Sequence, residues 1–127
     1  MRYKLKEGWT KERMLNVLLT RNTNVVCRVN GSCVNANEFG NHCAIGCFIP
    51  DDHMAVRHSL IVGDLLYTFP TLNEFMPLEE DGLMSLQRLH DDWKPTETKS
   101  FVDGKVVITK STLHEDFKAF VDKLLYE

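Results

Sequence analysis

Apolar side chains recur at Met14, Leu15, Leu18 and Leu19 behind Thr10, whose hydroxyl can accept a hydrogen bond from a first helical turn. This spacing predicts a helix from Lys11 to about Asn22, where Asn-Thr-Asn favours a turn. From Val25 to Val34 β-branched residues flank Asn30-Gly31, a dipeptide suited to a tight hairpin turn. Residues 35–42 are polar and contain Gly40, so they read as loop. Residues 43–49 are apolar, and the pattern leaves helix and strand open before Pro50-Asp51-Asp52 ends the run or opens the next helix.

Val56, Leu60, Ile61, Leu65, Leu66 and Phe69 fit a helix over 55–69 that Pro70 closes. Acidic residues at 79–81, placed where a helix dipole favours anions, precede a stripe of Leu83, Leu86, Leu89 or His90, and Trp93. Asp103-Gly104 lies between Phe101-Val102 and residues 105–109, which predicts a two-residue hairpin turn. Thr112 and Glu115 match a capping box, and Phe117, Phe120, Val121 and Leu124 form the buried face of a terminal helix over 112–126. The expected fold is a single α+β domain over residues 1–127, with three or four helices and one or two short antiparallel hairpins. The cysteine-rich block is expected at its centre, against the helices at 79–93 and 112–126.

A chain of 127 residues that is 43% hydrophobic can build one ordinary core. Fifteen Lys and Arg against eighteen Asp and Glu provide no bulk cationic field, which disfavours general nucleic-acid binding. No apolar run reaches the roughly 18–20 residues of a membrane span, and the first ten residues lack a secretory apolar stretch. The expected setting is cytoplasmic, with no membrane partner. The four cysteines, Cys27, Cys33, Cys43 and Cys47, are then expected as thiols or ligands rather than disulfides.

The stretch CVNANEFGNHCAIGCFIPDD carries most of the candidate chemistry. Cys33, Cys43 and Cys47 with His42 or His53 would suffice in number for a tetrahedral Zn²⁺ site, although no paired CxxC knuckle is present. The competing reading is that the cysteines are small buried hydrophobes packed at a close backbone contact. A third is a nucleophile, Cys43 or Cys47, activated by a histidine that the fold brings near, with His42, His53 and His90 as candidates. His90-Asp91 is like the HD doublet of metal phosphohydrolases, but a histidine near a helix C-terminus followed by a solvated turn explains the same residues. Asp51-Asp52-His53 reads as cation ligands or as helix entry, and Arg57 between His53 and His58 reads as an anion-binding group or as a solvated helix face. Phosphate-binding glycine loops, HExxH and GxSxG are absent from the sequence.

Cys33, Gly40, the run Cys43-Ala-Ile-Gly-Cys47-Phe-Ile-Pro-Asp-Asp52 and the later Leu86-Gln-Arg-Leu-His-Asp91 together resemble a group of short proteins of bacteriophages and prophages. Those proteins carry a CA[I/V]GC[L/F]IPD block and a downstream LQxxHD helix. The chain departs from them in having Val34-Asn35-Ala36 where an aromatic and a basic residue usually follow the first cysteine, and in the hairpin around Asp103-Gly104, which looks like an addition. The resemblance implies a phage-type accessory protein in the cytoplasm of a bacterial host. It further implies that Cys33, Cys43, Cys47, His90 and Asp91 share one neighbourhood. Small size and the lack of a recognisable catalytic set favour a non-enzymatic binder or inhibitor, for counter-defence or host modulation, acting on a host protein or a small signalling molecule. Arg57, His58 and Trp93 are its candidate contact residues. The alternatives are a Cys/His or metal-dependent enzyme drawing on Cys43, Cys47, His90 and Asp91, and a zinc-stapled scaffold.

Overall fold

Thr10 does cap the first helix: its hydroxyl accepts the Arg13 amide at 3.1 Å, and α1 runs Lys11–Arg21, burying Met14 and Leu18. The computed structural model describes residues 2–29, 32–57 and 61–126, excluding the side chains at 29, 32, 33 and 57. Three expectations therefore lie outside the described residues: the turn at Asn30-Gly31, the residue His58, and the side chains of Cys33 and Arg57. On either side of that turn, β2 (Arg28–Val29) and β3 (Ser32–Cys33) pair antiparallel, Arg28 opposite Cys33.

Of the apolar residues of the expected 55–69 helix, Leu60 lies outside the described residues and the others divide among shorter elements and their ends. A 3-10 turn spans Met54–Arg57, and α2 covers only Val62–Thr68 because Ile61 is extended at its start. Phe69 leaves helical geometry before Pro70, as a residue preceding proline tends to do, and Pro70–Phe75 then continues as a 3-10 helix rather than stopping the chain. α3 (Glu80–Asp91) buries Leu83, Leu86 and His90, and α4 (Leu113–Leu124) begins where the Thr112 hydroxyl accepts the Glu115 amide at 3.2 Å. α4 buries Leu113, Phe117, Phe120 and Val121.

Near the chain ends, β1 (Tyr3–Lys4) pairs parallel with β6 (Leu125–Tyr126), and Tyr3 stacks on Phe120 with ring centroids 6.2 Å apart. α1 packs on α4, and α2 and α4 both pack on α3. One core unites these elements: Met14, Leu18, Ile45, Ile49, Leu65, Leu72, Leu83, Leu86 and Phe117 are all buried in it. The molecule is a small α+β domain, as the pattern predicts.

β4 (Glu97–Val102) and β5 (Lys105–Lys110) form the remaining hairpin, joined by Asp103 and Gly104 with φ of 53° and 75°. Both central residues having positive φ is the turn geometry that Asp-Gly favours. The ladder is longer than the sequence pattern implies, because Glu97 to Ser100 extend the strand of Phe101-Val102. From Lys94 through Lys110 every residue is exposed.

Candidate functional site

Residues 43–49 form neither a full helix nor a strand. Gly46–Phe48 make a 3-10 turn, entered through a Cys47 amide bond to the Cys43 carbonyl at 3.0 Å. A close approach explains the shape: a Cβ on Gly46 would lie 1.9 Å from the Asn35 carbonyl oxygen, so only glycine fits. Asn35 holds the other side of this contact. Its carbonyl accepts the Cys43 amide at 2.9 Å, and its side-chain amide donates to the Ala55 carbonyl at 3.0 Å. The block packs against α1 and meets α3 through the Ile45 amide, which donates to Gln87 Oε1 at 3.0 Å.

Cys27, Cys43 and Cys47 are buried thiols. Cys43 Sγ accepts the Gly46 amide at 3.1 Å and donates toward Asn35 Oδ1 at 3.4 Å, while Cys27 Sγ donates to the Asn41 carbonyl at 3.2 Å. Burial pushes the Cys43 thiol up to about 12, against a partial opposing effect of the Gly46 amide. Burial likewise raises Cys47, with Cys43 adding to the effect and Arg21 opposing it. Both sulfurs are therefore held as thiols, the form that neither attacks electrophiles nor ligates metals.

His90 is wholly buried at the end of α3. Its Nε2 lies 3.0 Å from the Cys27 amide, which can only donate, so the ring proton sits on Nδ1 and is given to Asp91 Oδ1 at 2.8 Å. The same Asp91 oxygen accepts Gln87 Nε2 at 2.7 Å, the i, i+4 neighbour on the helix face. A continuous chain of bonds thus links the Ile45 amide, Gln87, Asp91, His90 and the Cys27 amide. The CAIGC turn and the LQRLHD helix are two halves of one lock, buried at His90 and Cys27 and half-buried at Gln87 and Asp91, and His90 Nε2, the atom a general base would need, is occupied by main chain.

A second cluster lies at the surface end of the block. Arg21 Nη1 donates to the Cys47 and Ile49 carbonyls, both at 3.0 Å, and Nη2 reaches His42 Nε2 at 3.0 Å and Asp51 Oδ1 more closely still. His42 Nδ1 donates to the Arg21 carbonyl at 2.9 Å, leaving Nε2 between Arg21 Nη2 and Asp51 Oδ1, the latter at 2.9 Å. Nε2 serves one of them at a time: a lone pair accepts from Arg21, and a proton donates to Asp51. The His42 hydrogen bond and the Arg21 charge hold the Asp51 carboxyl below its usual range.

The expected neighbourhood is Cys33, Cys43, Cys47, His90 and Asp91; the structure joins the turn that bears Cys43 and Cys47 to Asp91 and His90 through the Ile45 amide and Gln87, and the Cys33 side chain lies outside the described residues. The lock reaches them through Cys27 and Gln87, which carried no assigned role. The i, i+4 spacing of Gln87 and Asp91 was the available signal for the latter. His42 belongs to the Arg21–Asp51 cluster. Trp93 donates Nε1–H to Asp116 Oδ2 at 2.6 Å, tying the end of α3 to α4, and lines a groove of about 420 Å³ with Leu89, Lys94, Phe120 and Lys123. Arg57 ends the Met54–Arg57 turn.

Among the described residues no three His, Cys, Asp or Glu side chains gather to hold a metal ion, and the side chain of Cys33, a member of the expected zinc set, lies outside them. The described donors are committed elsewhere, His42 to Arg21 and Asp51, and Cys43 to Gly46 and Asn35. Among the described residues no helix is long and apolar enough to cross a membrane. No family model, no curated protein and no solved structure matches this chain.

Proposed function

We propose that the chain is a non-enzymatic binding protein of the phage accessory kind, one that acts on a host protein by occupying part of its surface. The observation that carries this reading is the arm formed by β4 and β5. It exposes Phe101, Val102, Val106, Val107 and Ile108, at 79% for Phe101, on a hairpin with no buried residue. Exposed apolar side chains gathered in this way mark interaction surfaces, and a lone two-stranded hairpin gains little stability for the fold that carries it.

The enzymatic alternative has less support. The Cys43 and Cys47 thiols are buried and protonated, and the His90 ring is bonded on both nitrogens. A host protein is favoured over a small signalling molecule because the unassigned surface is a projecting arm rather than an enclosing pocket.

The base of the arm is clasped by the Ser111 amide donating to the Thr96 carbonyl at 2.9 Å and the Thr96 amide to Ser111 Oγ at 2.7 Å. Replacing residues 97–110 by Gly-Gly should therefore leave the body folded. The full chain, immobilised and exposed to bacterial lysate, should retain a discrete host protein that the armless chain does not. Equal retention by both chains would remove the arm from the function, and turnover of a substrate by the purified protein would overturn the binder reading.

A further inference from the structure

We propose that the outer edge of β5 is a strand-addition site for an extended segment of a partner protein, with acidic residues at its two ends and alternating apolar residues between them. This rests on the binder reading and specifies its contact. Strand addition to an open edge draws affinity from main-chain hydrogen bonds and specificity from alternating side chains. Among the described residues the sheet of the arm has two strands, so β5 is paired with β4 on one side only.

Cross-strand partners divide the arm into two faces. Phe101 with Val106, Lys99 with Ile108 and Glu97 with Lys110 share one face; Val102 with Lys105, Ser100 with Val107 and Thr98 with Thr109 share the other. β5 thus reads Lys105, three successive apolar residues and Thr109, then Lys110. An added antiparallel strand sets one residue opposite each of these. Opposite Val106 and Ile108 it must be apolar, to extend the face that Phe101 begins. Opposite Lys105 and Lys110 it must be acidic, because opposite charges stabilise and like charges destabilise a directly facing pair. The segment is therefore acid, any strand former, apolar, strand former, apolar, acid. A slip of one residue would turn its apolar pair to the wrong face.

The same charges exclude a second copy. Two β5 edges paired antiparallel over their whole length would set Lys105 against Lys110 twice. Edge lysines are a common guard against self-pairing. The β4 edge gives no better copy: in full register Glu97 faces Val102 and Lys99 faces Ser100, with no charge matched. The overall balance agrees with an acidic partner. Lys94, Lys99, Lys105 and Lys110 against Glu97 and Asp103 leave the arm two charges positive on a chain whose net charge is −3. Lys110 already has Glu97 at 3.7 Å, whereas Lys105 faces Val102 across the ladder, so Lys105 is the stronger anchor.

The test is fluorescence anisotropy on the full chain with two labelled peptides, Glu-Thr-Ile-Thr-Val-Glu and Lys-Thr-Ile-Thr-Val-Lys, and a labelled DNA duplex. The acid-ended peptide should bind at least tenfold more tightly than the lysine-ended one. The variant Lys105→Glu/Lys110→Glu should reverse that order, with Lys105→Glu alone producing the larger part of the change. Far-UV circular dichroism establishes that the variant is folded. Hydrogen exchange should show new protection within 105–110 when the acid-ended peptide is added. Equal affinities, no reversal, preference for the duplex, or an arm-dependent dimer in sedimentation would each overturn the assignment. Host-protein retention that still depended on residues 97–110 would show that the binder reading survived that failure.

Discussion

Around the cysteine turn several polar groups are buried and answered, whereas in the arm from Lys94 to Lys110 the apolar groups face outward and are not. His90, Asn35, Asn41 and Asn22 are buried yet hydrogen-bonded, and among the described residues no buried side-chain nitrogen or oxygen lacks a partner. Five large apolar side chains of the arm touch water instead. A satisfied buried network fixes one arrangement and resists change. An exposed apolar ribbon contributes little to folding and leaves its surface for another molecule. The residues that look reactive in the sequence are thus the ones that build the body, and the hairpin that looks like an addition is the part that contributes nothing to the core.

The largest test of this contrast is Gly46→Ala. Its added methyl meets main chain rather than a flexible side chain, and the variant should lose about 3–5 kcal/mol in urea unfolding or fail to fold. Retention of wild-type stability would mean that the Asn35 contact is not what shapes the turn. Next, His90→Ala should cost about 2–4 kcal/mol, since it opens a cavity and leaves the Cys27 amide and the Gln87–Asp91 pair short of a partner. The armless chain should melt within a few degrees of the full chain, because every residue removed is exposed.

Native protein should resist iodoacetamide at Cys27, Cys43 and Cys47 and react only in denaturant, since all three are buried. Its mass should not change on adding a chelator; a loss of one zinc would place ligands outside the described set. The smallest effect belongs to Asp51. Its folded-state carboxyl titrates below the unfolded value, so its stabilising contribution is complete above the ordinary carboxylate range and fades as pH falls through the lowered folded value. Its side chain is 75% exposed, so solvent screening keeps the difference between Asp51→Asn and the natural chain small near neutrality, and the difference should vanish in acid.

Local rules made much of the fold legible. Thr10 and Thr112 cap helices as their spacing predicts, the leucines of α3 face inward, and Asp103-Gly104 turns with positive φ at both positions. The 55–69 helix was over-read because Ile61 is extended and exposed, while Val56, Leu65 and Leu66 reach the core from two short elements as well as they would from one long helix. The cysteine turn was unreadable for a different reason. Its shape depends on Gly46 meeting Asn35, eleven residues earlier in the chain, and no window on residues 43–49 contains that contact. Gathering His90 and Asp91 near the thiols was foreseeable from the resemblance and from the leucine stripe. That the His90 ring would be sealed by the Cys27 amide was not, because a main-chain donor leaves no mark in a sequence.

The parallel pairing of Tyr3 with Leu125 and Lys4 with Tyr126 imposes an order on biosynthesis. α1 lies on α4, with Lys11 Nζ donating to the Asp122 carbonyl at 3.1 Å, so the first helix waits for the last before its apolar side is covered. Until residue 126 clears the ribosome exit tunnel, Met14 and Leu18 lack part of their packing. The nascent chain should accordingly close late and all at once.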